Sequence, residues 1–132
     1  MSEFLMNAMS AAYYKVPVVF LSGDAGIAKI ARDKVPGIET VVTNTGSGSS
    51  VDSIHPAKVV RLIEEGVSRA ISNGSIKPMT LPEKFEVEIV YIEHTQTHRL
   101  SFFPGVEKAD DRTLTFTESD YFEVLRKLLF LL

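Results

Sequence analysis

Three polar side chains near the start of the chain, Glu3, Asn7 and Asp24, have types and positions that suit ligand or metal binding. Glu3 supplies the one carboxylate of the opening segment MSEFLMNAMSAAYY, where Glu3, Asn7, Ser10 and Tyr14 recur at helical spacing. A carboxylate on a helix that is otherwise buried is costly unless it is paired, hydrogen-bonded or bound to a cation. A glutamate in water at a frayed helix end explains the same residue equally well.

The rest of the opening segment is apolar, so we predict a helix buried on several sides, with its polar stripe lining a cleft or a thin strip of solvent. Asp24 follows the apolar run VPVVFLSG, where a strand is expected to turn into a helix. Ligands of α/β folds bind at such strand ends. Capping of the following helix accounts for Asp24 as well.

Two further motifs are weaker. His94 and His98 have the spacing of a metal-binding pair on a helix. However, HTQTH lacks the glutamate of the HExxH motif, and this absence favours solvent-facing histidines over a metal site. The stretch TGSGSS lacks the GxxxxGK[ST] frame of a phosphate-binding loop, and a mobile surface loop is the favoured interpretation. His55, before Pro56, is interpreted as a helix cap.

The composition restricts the class of protein. At 132 residues with 45% hydrophobic content, the chain is expected to form one α/β domain over residues 1–132. A net charge of -3 with scattered Lys and Arg argues against nucleic acid and anionic membranes as partners. The absence of cysteine excludes disulfides and fits a reducing compartment, so a cytoplasmic location is expected.

Strands alternate with helices along the chain, which predicts a layered α/β fold with a mixed β-sheet. The predicted strands are VPVVFLSGD, ETVVT, FEVEIVYI and DRTLTFT. The predicted helices are AGIAKIARDKV, a long helix from Pro56 to Asn73, a short one over 95–103, and ESDYFEVLRKLLFLL with Thr117 as its N-cap. The apolar tail LLFLL leaves more oily surface than a small domain usually shows, which indicates a partner.

An ordered set of short motifs carries a family resemblance that covers the chain from Ser2 to the last helix. The motifs are Glu3, Asn7-Ala8, Tyr14, Val16-Pro17-Val18, Gly23-Asp24, Pro56-Ala57-Lys58 and Pro104-Gly105-Val106-Glu107. In this order and at these intervals they resemble the carboxyl-terminal half of the DppA-type zinc-dependent D-aminopeptidases of the dipeptide-transport operon. Thr43 and Gly48 stand where relatives carry Lys and Arg, so the substrate class can differ here.

The resemblance implies a hydrolase in which zinc is held by an amino-terminal Asp-x-Glu, two histidines and a glutamate that matches Glu3. The other ligands and the catalytic histidine would lie in an amino-terminal half that precedes these residues. The chain would then be a fragment, starting at an internal Met and inactive alone, with Asn7 and Asp24 as candidates for the substrate cleft. The implied substrate is a short peptide with an N-terminal D-residue, and the implied partners are the missing half and further copies of the chain.

A second interpretation stays open beside the enzyme. The apolar first and last helices also suit a non-catalytic α/β interaction module that associates with itself.

Overall fold

The computed structural model describes all 132 residues and divides them into two compact units, Met1–Leu81 and Pro82–Leu132. The first unit contains α1 (Glu3–Tyr13), β1 (Phe20–Asp24), α2 (Ala25–Lys34), β2 (Glu39–Ser47), β3 (Ser50–Ser53) and α3 (Pro56–Asn73). The second contains β4 (Phe85–Val90), α4 (His94–Leu100), β5 (Glu107–Lys108), β6 (Thr113–Glu118) and α5 (Tyr121–Leu131). Helices alternate with strands, so the predicted α/β class is confirmed. The single domain over residues 1–132 stays a prediction.

The first unit is built on the predicted βαβ arrangement. β1 and β2 pair in parallel, with α2 as the crossover, and β3 adds antiparallel to β2. Successive β2 side chains point to opposite faces of the sheet. Glu39 forms an ion pair with Arg69 of α3, whereas the next residue, Thr40, accepts a hydrogen bond from Arg32 of α2 at 2.6 Å. The helices α2 and α3 therefore cover opposite faces.

The opening helix is less buried than the sequence suggests. Ser2 caps α1 by accepting a hydrogen bond from the Leu5 amide, and only Ala8 and Ala12 are buried along it. Phe4 packs with the buried cluster of Ala31, Val35 and Ile38, but remains partly exposed. The prediction of a helix buried on several sides is thus wrong for this chain, because the larger apolar side chains of α1 stay partly exposed.

The segment predicted as a mobile surface loop is a β-hairpin. It is exposed, as predicted, but β2 runs to Ser47, pairs with Ser50 at the start of β3, and turns through two residues. Gly48 takes a φ of 59°, a left-handed conformation that glycine adopts without strain. Polar side chains on both faces of these strands hide the period-2 pattern from which strands are recognised. β1 differs as well, since it begins at Phe20 rather than Val16.

The long helix α3 approaches the sheet closely at Gly66. It begins at Pro56, with the His55 ring nitrogen accepting a hydrogen bond from the Ala57 amide, and ends at Asn73, followed by Gly74 in a left-handed conformation, as predicted. A Cβ at Gly66 would lie 2.8 Å from the Phe20 ring and 3.3 Å from a Val41 methyl group. Glycine disfavours a helix interior, so its presence here is explained by the packing.

Gly66→Ala should therefore destabilise the first unit. Overpacking costs about 1–3 kcal/mol and outweighs the helix-propensity gain of about 1 kcal/mol, so we expect a net loss of about 1 kcal/mol in urea unfolding. Ser68→Ala, an exposed position on the same helix, should be neutral or slightly stabilising. Equal stabilisation by both substitutions would contradict the close packing at Gly66.

The second unit is an antiparallel sheet of order β4-β6-β5. β4 alternates as predicted, with Phe85, Val87 and Ile89 more buried than Glu86 and Glu88. Its core also contains residues of β6 and α5: Leu114, Phe116, Tyr121, Val124, Leu128 and Leu131. None of the helices in either unit has the length and apolar character that crossing a bilayer requires.

The last helix starts later than predicted. Asp120 is its N-cap and accepts a hydrogen bond from the Phe122 amide at 2.7 Å, so the predicted N-cap Thr117 is wrong. Thr117 belongs instead to β6, which continues to Glu118. In the apolar tail, Leu128 and Leu131 are buried, but Leu129 and Leu132 remain 79% and 76% exposed. The tail thus offers an unpartnered apolar surface, as predicted.

A half-buried cation connects three parts of the second unit. Lys127 of α5 forms an ion pair with Glu118 at 2.7 Å and donates to the Gly105 carbonyl oxygen at 2.9 Å. Its Nζ also lies 5.0 Å from the centre of the Phe116 ring. These contacts fix α5 against β6 and against the loop that contains Gly105.

Tyr91 fixes the carboxyl-terminal end of α5. Its hydroxyl donates to the Leu131 carbonyl oxygen at 2.8 Å, and burial raises the pKa of the Tyr91 phenol. The pKa of Tyr91 in the folded chain lies above the unfolded value of about 10. The stabilisation that the protonated Tyr91 hydroxyl gives to the fold is therefore complete below pH 10 and is lost as the pH rises through the folded pKa.

Tyr91→Phe should lower the free energy of unfolding of the second unit by about 1 kcal/mol at pH 7. It should also remove the part of the loss of stability above pH 10 that comes from ionisation of Tyr91. Urea unfolding followed by NMR signals of residues 82–132 measures both effects. Tyr14→Phe, at an exposed tyrosine, should leave both unchanged. If Tyr91→Phe loses stability above pH 10 as the wild type does, that loss comes from groups other than Tyr91.

Candidate functional site

A cleft of about 540 Å³ in the first unit brings the three sequence-predicted site residues together. It is lined by residues of α1, the end of β1 and the first turn of α2: Glu3, Phe4, Asn7, Leu21, Asp24 and Ile27. The lining contains two carboxylates and no cationic side chain. The cleft therefore favours a cation or a ligand that carries a positively charged group.

Asp24 has a structural role that leaves part of its carboxylate available. It ends β1 and caps α2, where its Oδ1 accepts hydrogen bonds from the Gly26 amide at 2.6 Å and the Ile27 amide at 3.0 Å. The predicted capping role is thus confirmed. Both bonds end on Oδ1, so Oδ2 has no partner in the chain and the capping geometry fixes its position.

Glu3 lies at the first position of α1 with an exposed side chain that forms no ion pair or hydrogen bond. The cost of burying a carboxylate does not apply to it, in contrast to the expectation from the apolar helix. The positive end of the helix dipole stabilises an anion at this position instead. Its role as a metal ligand stays a prediction.

Asn7 lies one helical turn after Glu3, also exposed, on the same face of α1. Phe4, Leu21 and Ile27 form the apolar walls of the cleft. Residue type and spacing in the sequence do not identify Phe4, Leu21 and Ile27 as cleft walls. For Leu21 alone, the alternation of β1 shows which face of the strand it lies on, since Leu21 and Gly23 share that face.

One buried polar atom lies beside the cleft residues. Asn44 pairs with Asp24 across β1 and β2, where a bulge between Gly23 and Asp24 shifts the register. The Oδ1 atom of Asn44 is buried and has no hydrogen-bond partner. The sequence contains no signal for it, since the neighbours of Asn44 depend on the bulge.

The donors of these 132 residues do not form a zinc site by themselves. No group of three or more His, Asp or Glu side chains lies close enough to hold a metal ion, and zinc normally takes three or four protein ligands. His94 and His98 are exposed on α4, and the His98 ring contacts Phe102 edge-on. The interpretation as solvent-facing histidines is favoured, and any zinc centre that uses Glu3 needs ligands from elsewhere.

The capping role of Asp24 can be tested on stability. Asp24→Ala should lower the free energy of unfolding of the first unit by about 1 kcal/mol, because the Gly26 and Ile27 amides lose their acceptor. Asp24→Asn should retain most of it, since asparagine caps equally well. Asp33→Ala, at an exposed position near the end of α2, is the control in urea unfolding and should be nearly silent. An equal loss in Asp24→Ala and Asp24→Asn would contradict the capping role.

Comparison with known proteins identifies the class to which this fold and cleft belong. The family model of the M55 peptidases, described as D-aminopeptidase, matches residues 1–130. The chain is therefore a member of the M55 D-aminopeptidase family, which confirms the resemblance found in the sequence.

Two relatives place it more narrowly. The D-aminopeptidase of Bacillus subtilis (strain 168) is 34% identical over 130 residues, which cover 96% of this chain and 47% of that protein. A solved structure of the same species, described as the Zn-dependent D-aminopeptidase DppA, a self-compartmentalizing protease, matches with a TM-score of 0.89 at 30% identity. That match covers 99% of this chain and 49% of the solved one. The chain thus spans about half the length of these relatives.

Proposed function

We propose that this chain forms one wall of the active-site cleft of a metal-dependent aminopeptidase that hydrolyses short peptides with an N-terminal D-amino acid. The observation that supports this proposal best is the convergence of Glu3, Asn7 and Asp24 on one acidic cleft with apolar walls. Membership of a D-aminopeptidase family supports the reaction class, and the description of the DppA structure as Zn-dependent supports zinc as the metal.

In this proposal Glu3 is the metal ligand that the chain contributes. Its carboxylate is exposed, has no partner in the chain, and lies on a rigid helix rather than a loop, which suits a ligand that must hold a fixed position. The remaining ligands come from residues outside this chain, because none of its own His, Asp or Glu side chains completes the set. Asn7 and Asp24 face the substrate.

The chain alone is then inactive and needs partners. We propose an assembly with a polypeptide equivalent to the other half of the relatives, together with further copies of the chain, in the cytoplasm. The description of DppA as self-compartmentalizing supports an assembly of several subunits. The exposed apolar side chains of Leu129, Phe130 and Leu132 give such an assembly a surface to bury.

The experiment combines the purified chain with the separately produced amino-terminal half of the Bacillus subtilis D-aminopeptidase. The chain with zinc alone should release no D-alanine from a D-alanyl peptide, whereas the mixture should retain zinc through dialysis and release D-alanine. Glu3→Gln in this chain should weaken zinc binding in the mixture by at least about tenfold, since even outer-shell substitutions cost that much. Glu64→Gln, an exposed glutamate on α3, is the matched control.

Turnover by the chain alone would refute the need for outside ligands. Zinc binding that is equal in the Glu3→Gln and Glu64→Gln mixtures would refute the role of Glu3.

The exposed tail of α5 also supports the second candidate, a non-catalytic module that associates with itself. Light scattering of the chain alone, with Leu129→Ser and Leu132→Ser as variants, tests the self-association. Assembly that depends on these leucines, together with a mixture that shows neither zinc retention nor hydrolysis, would favour the module over the enzyme.

A further inference from the structure

We propose that a basic groove in the first unit, between the carboxyl-terminal end of α2 and the segment that follows α3, binds a phosphate group. The phosphate is carried by inorganic phosphate or by a small phosphate ester. The groove has a volume of about 390 Å³, and all of its lining residues lie between Lys34 and Thr80. It shares no residue with the acidic cleft, which lies at the opposite end of α2, a helix about 15 Å long. The groove is therefore a site separate from Glu3.

The charge of the basic groove favours an anion. Lys34 and Lys77 line it, and no Asp or Glu does. Both lysines are exposed, and neither forms an ion pair or a hydrogen bond within the chain. The end of α2 adds the negative pole of the helix dipole, but that pole is equivalent to about half a charge and is outweighed by two full positive charges. The groove therefore keeps a net positive charge that its own lining does not neutralise.

The second wall of the groove offers backbone donors. It is formed by residues 75–80, which belong to no helix or strand. The amides of Ser75, Lys77, Met79 and Thr80 donate to no other group of the chain. Backbone amides of this kind must bond to water or to a ligand. Lysines and free backbone amides are the groups with which proteins commonly bind phosphate.

The hydrophobic core holds both walls in place. Val35 of the first wall belongs to the buried cluster with Ala31 and Ile38. Ile76 and Met79 pack against the same cluster from the second wall. The backbone donors next to these two side chains are thus positioned before a ligand arrives, which limits the entropy that binding costs.

The number of donors indicates phosphate rather than carboxylate. A phosphate monoester carries about −1.5 to −2 charges at pH 7 and three strong acceptor oxygens. Two lysines and several amides match this group better than a carboxylate, which has one charge and two oxygens. Pro36, Pro78 and Met79 add apolar surface to the lining. Since the volume lies in the range of small-molecule sites, about 300–1,000 Å³, the groove has room for the organic part of a small ester.

The test is an NMR titration of the metal-free full chain, at constant ionic strength, with inorganic phosphate and with phenyl phosphate. We expect both to give saturable shifts of the Lys77, Met79 and Thr80 amides, and acetate, with its single charge, to give none. Tighter binding of phenyl phosphate, through contact of its ring with Pro36 and Pro78, would support the site and assign it to an ester. Equal binding would support the site and assign it to inorganic phosphate.

Variants of the two lysines test the assignment. Lys34→Gln and Lys77→Gln should each weaken binding by at least about fivefold, because each removes a charged hydrogen bond to the phosphate. Lys77→Arg keeps the charge and should retain most of the affinity. Lys29→Gln removes the same charge from an exposed position of α2 outside the groove, and it should bind as the wild type does. All four positions are exposed or lie outside the core, so the midpoint of thermal unfolding without phosphate should not change.

Shifts that do not saturate, equal binding of acetate, or equal weakening in Lys29→Gln and Lys77→Gln would overturn the site. Neither zinc nor an amino-terminal half takes part in these measurements. The basic groove can therefore fail while Glu3 still controls zinc retention in the reconstituted mixture, and phosphate binding without any effect of Glu3 on zinc would support the groove and refute the role of Glu3.

Discussion

The first unit depends on the parallel pairing of β1 with β2 and on how that pairing ends. The ladder is regular from Phe20 to Gly23 and is then shifted by a bulge, so that Asp24 pairs with Asn44. At the same residue the chain turns into α2, with the Asp24 carboxylate accepting from the first free amides of the helix. One residue thus ends a strand, begins a helix and leaves an anion at the strand end, where α/β folds bind ligands.

The cleft follows from this junction together with the position of α1. Ala8 and Ala12 let α1 pack closely, while Glu3 and Asn7 stay on its exposed face toward the cleft. Charge then accumulates on one side, with two carboxylates and no cation among the lining residues. Such a surface is incomplete as a zinc centre, and it is well suited to meet cationic groups that other parts of a larger assembly or a substrate supply.

Sequence patterns predict this structure well where local chemistry determines it. Pro56 and the Asn73-Gly74 pair mark the ends of α3 because proline fits a first helical turn and glycine a left-handed end, and the glutamates of β4 mark its exposed face. Sequence patterns fail where strand pairing determines the structure. The polar β2–β3 hairpin shows no alternation of apolar and polar residues. Thr117 and Asp120 are both suitable N-cap residues, and only the extension of β6 to Glu118 excludes Thr117. Glu3, Asn7 and Asp24 are recognisable as candidates from residue type and place. Asn44 is not, since its pairing with Asp24 depends on the bulge.

Packing and ligand binding, which usually compete for the residues of a short helix, use different residues in α1. Ala8 and Ala12 are its buried residues, whereas Glu3 and Asn7 are exposed. Exchanging the two cleft-facing side chains would therefore change what the cleft attracts at little expense to folding. In this helix, ligand preference is adjustable by evolution or design almost independently of stability.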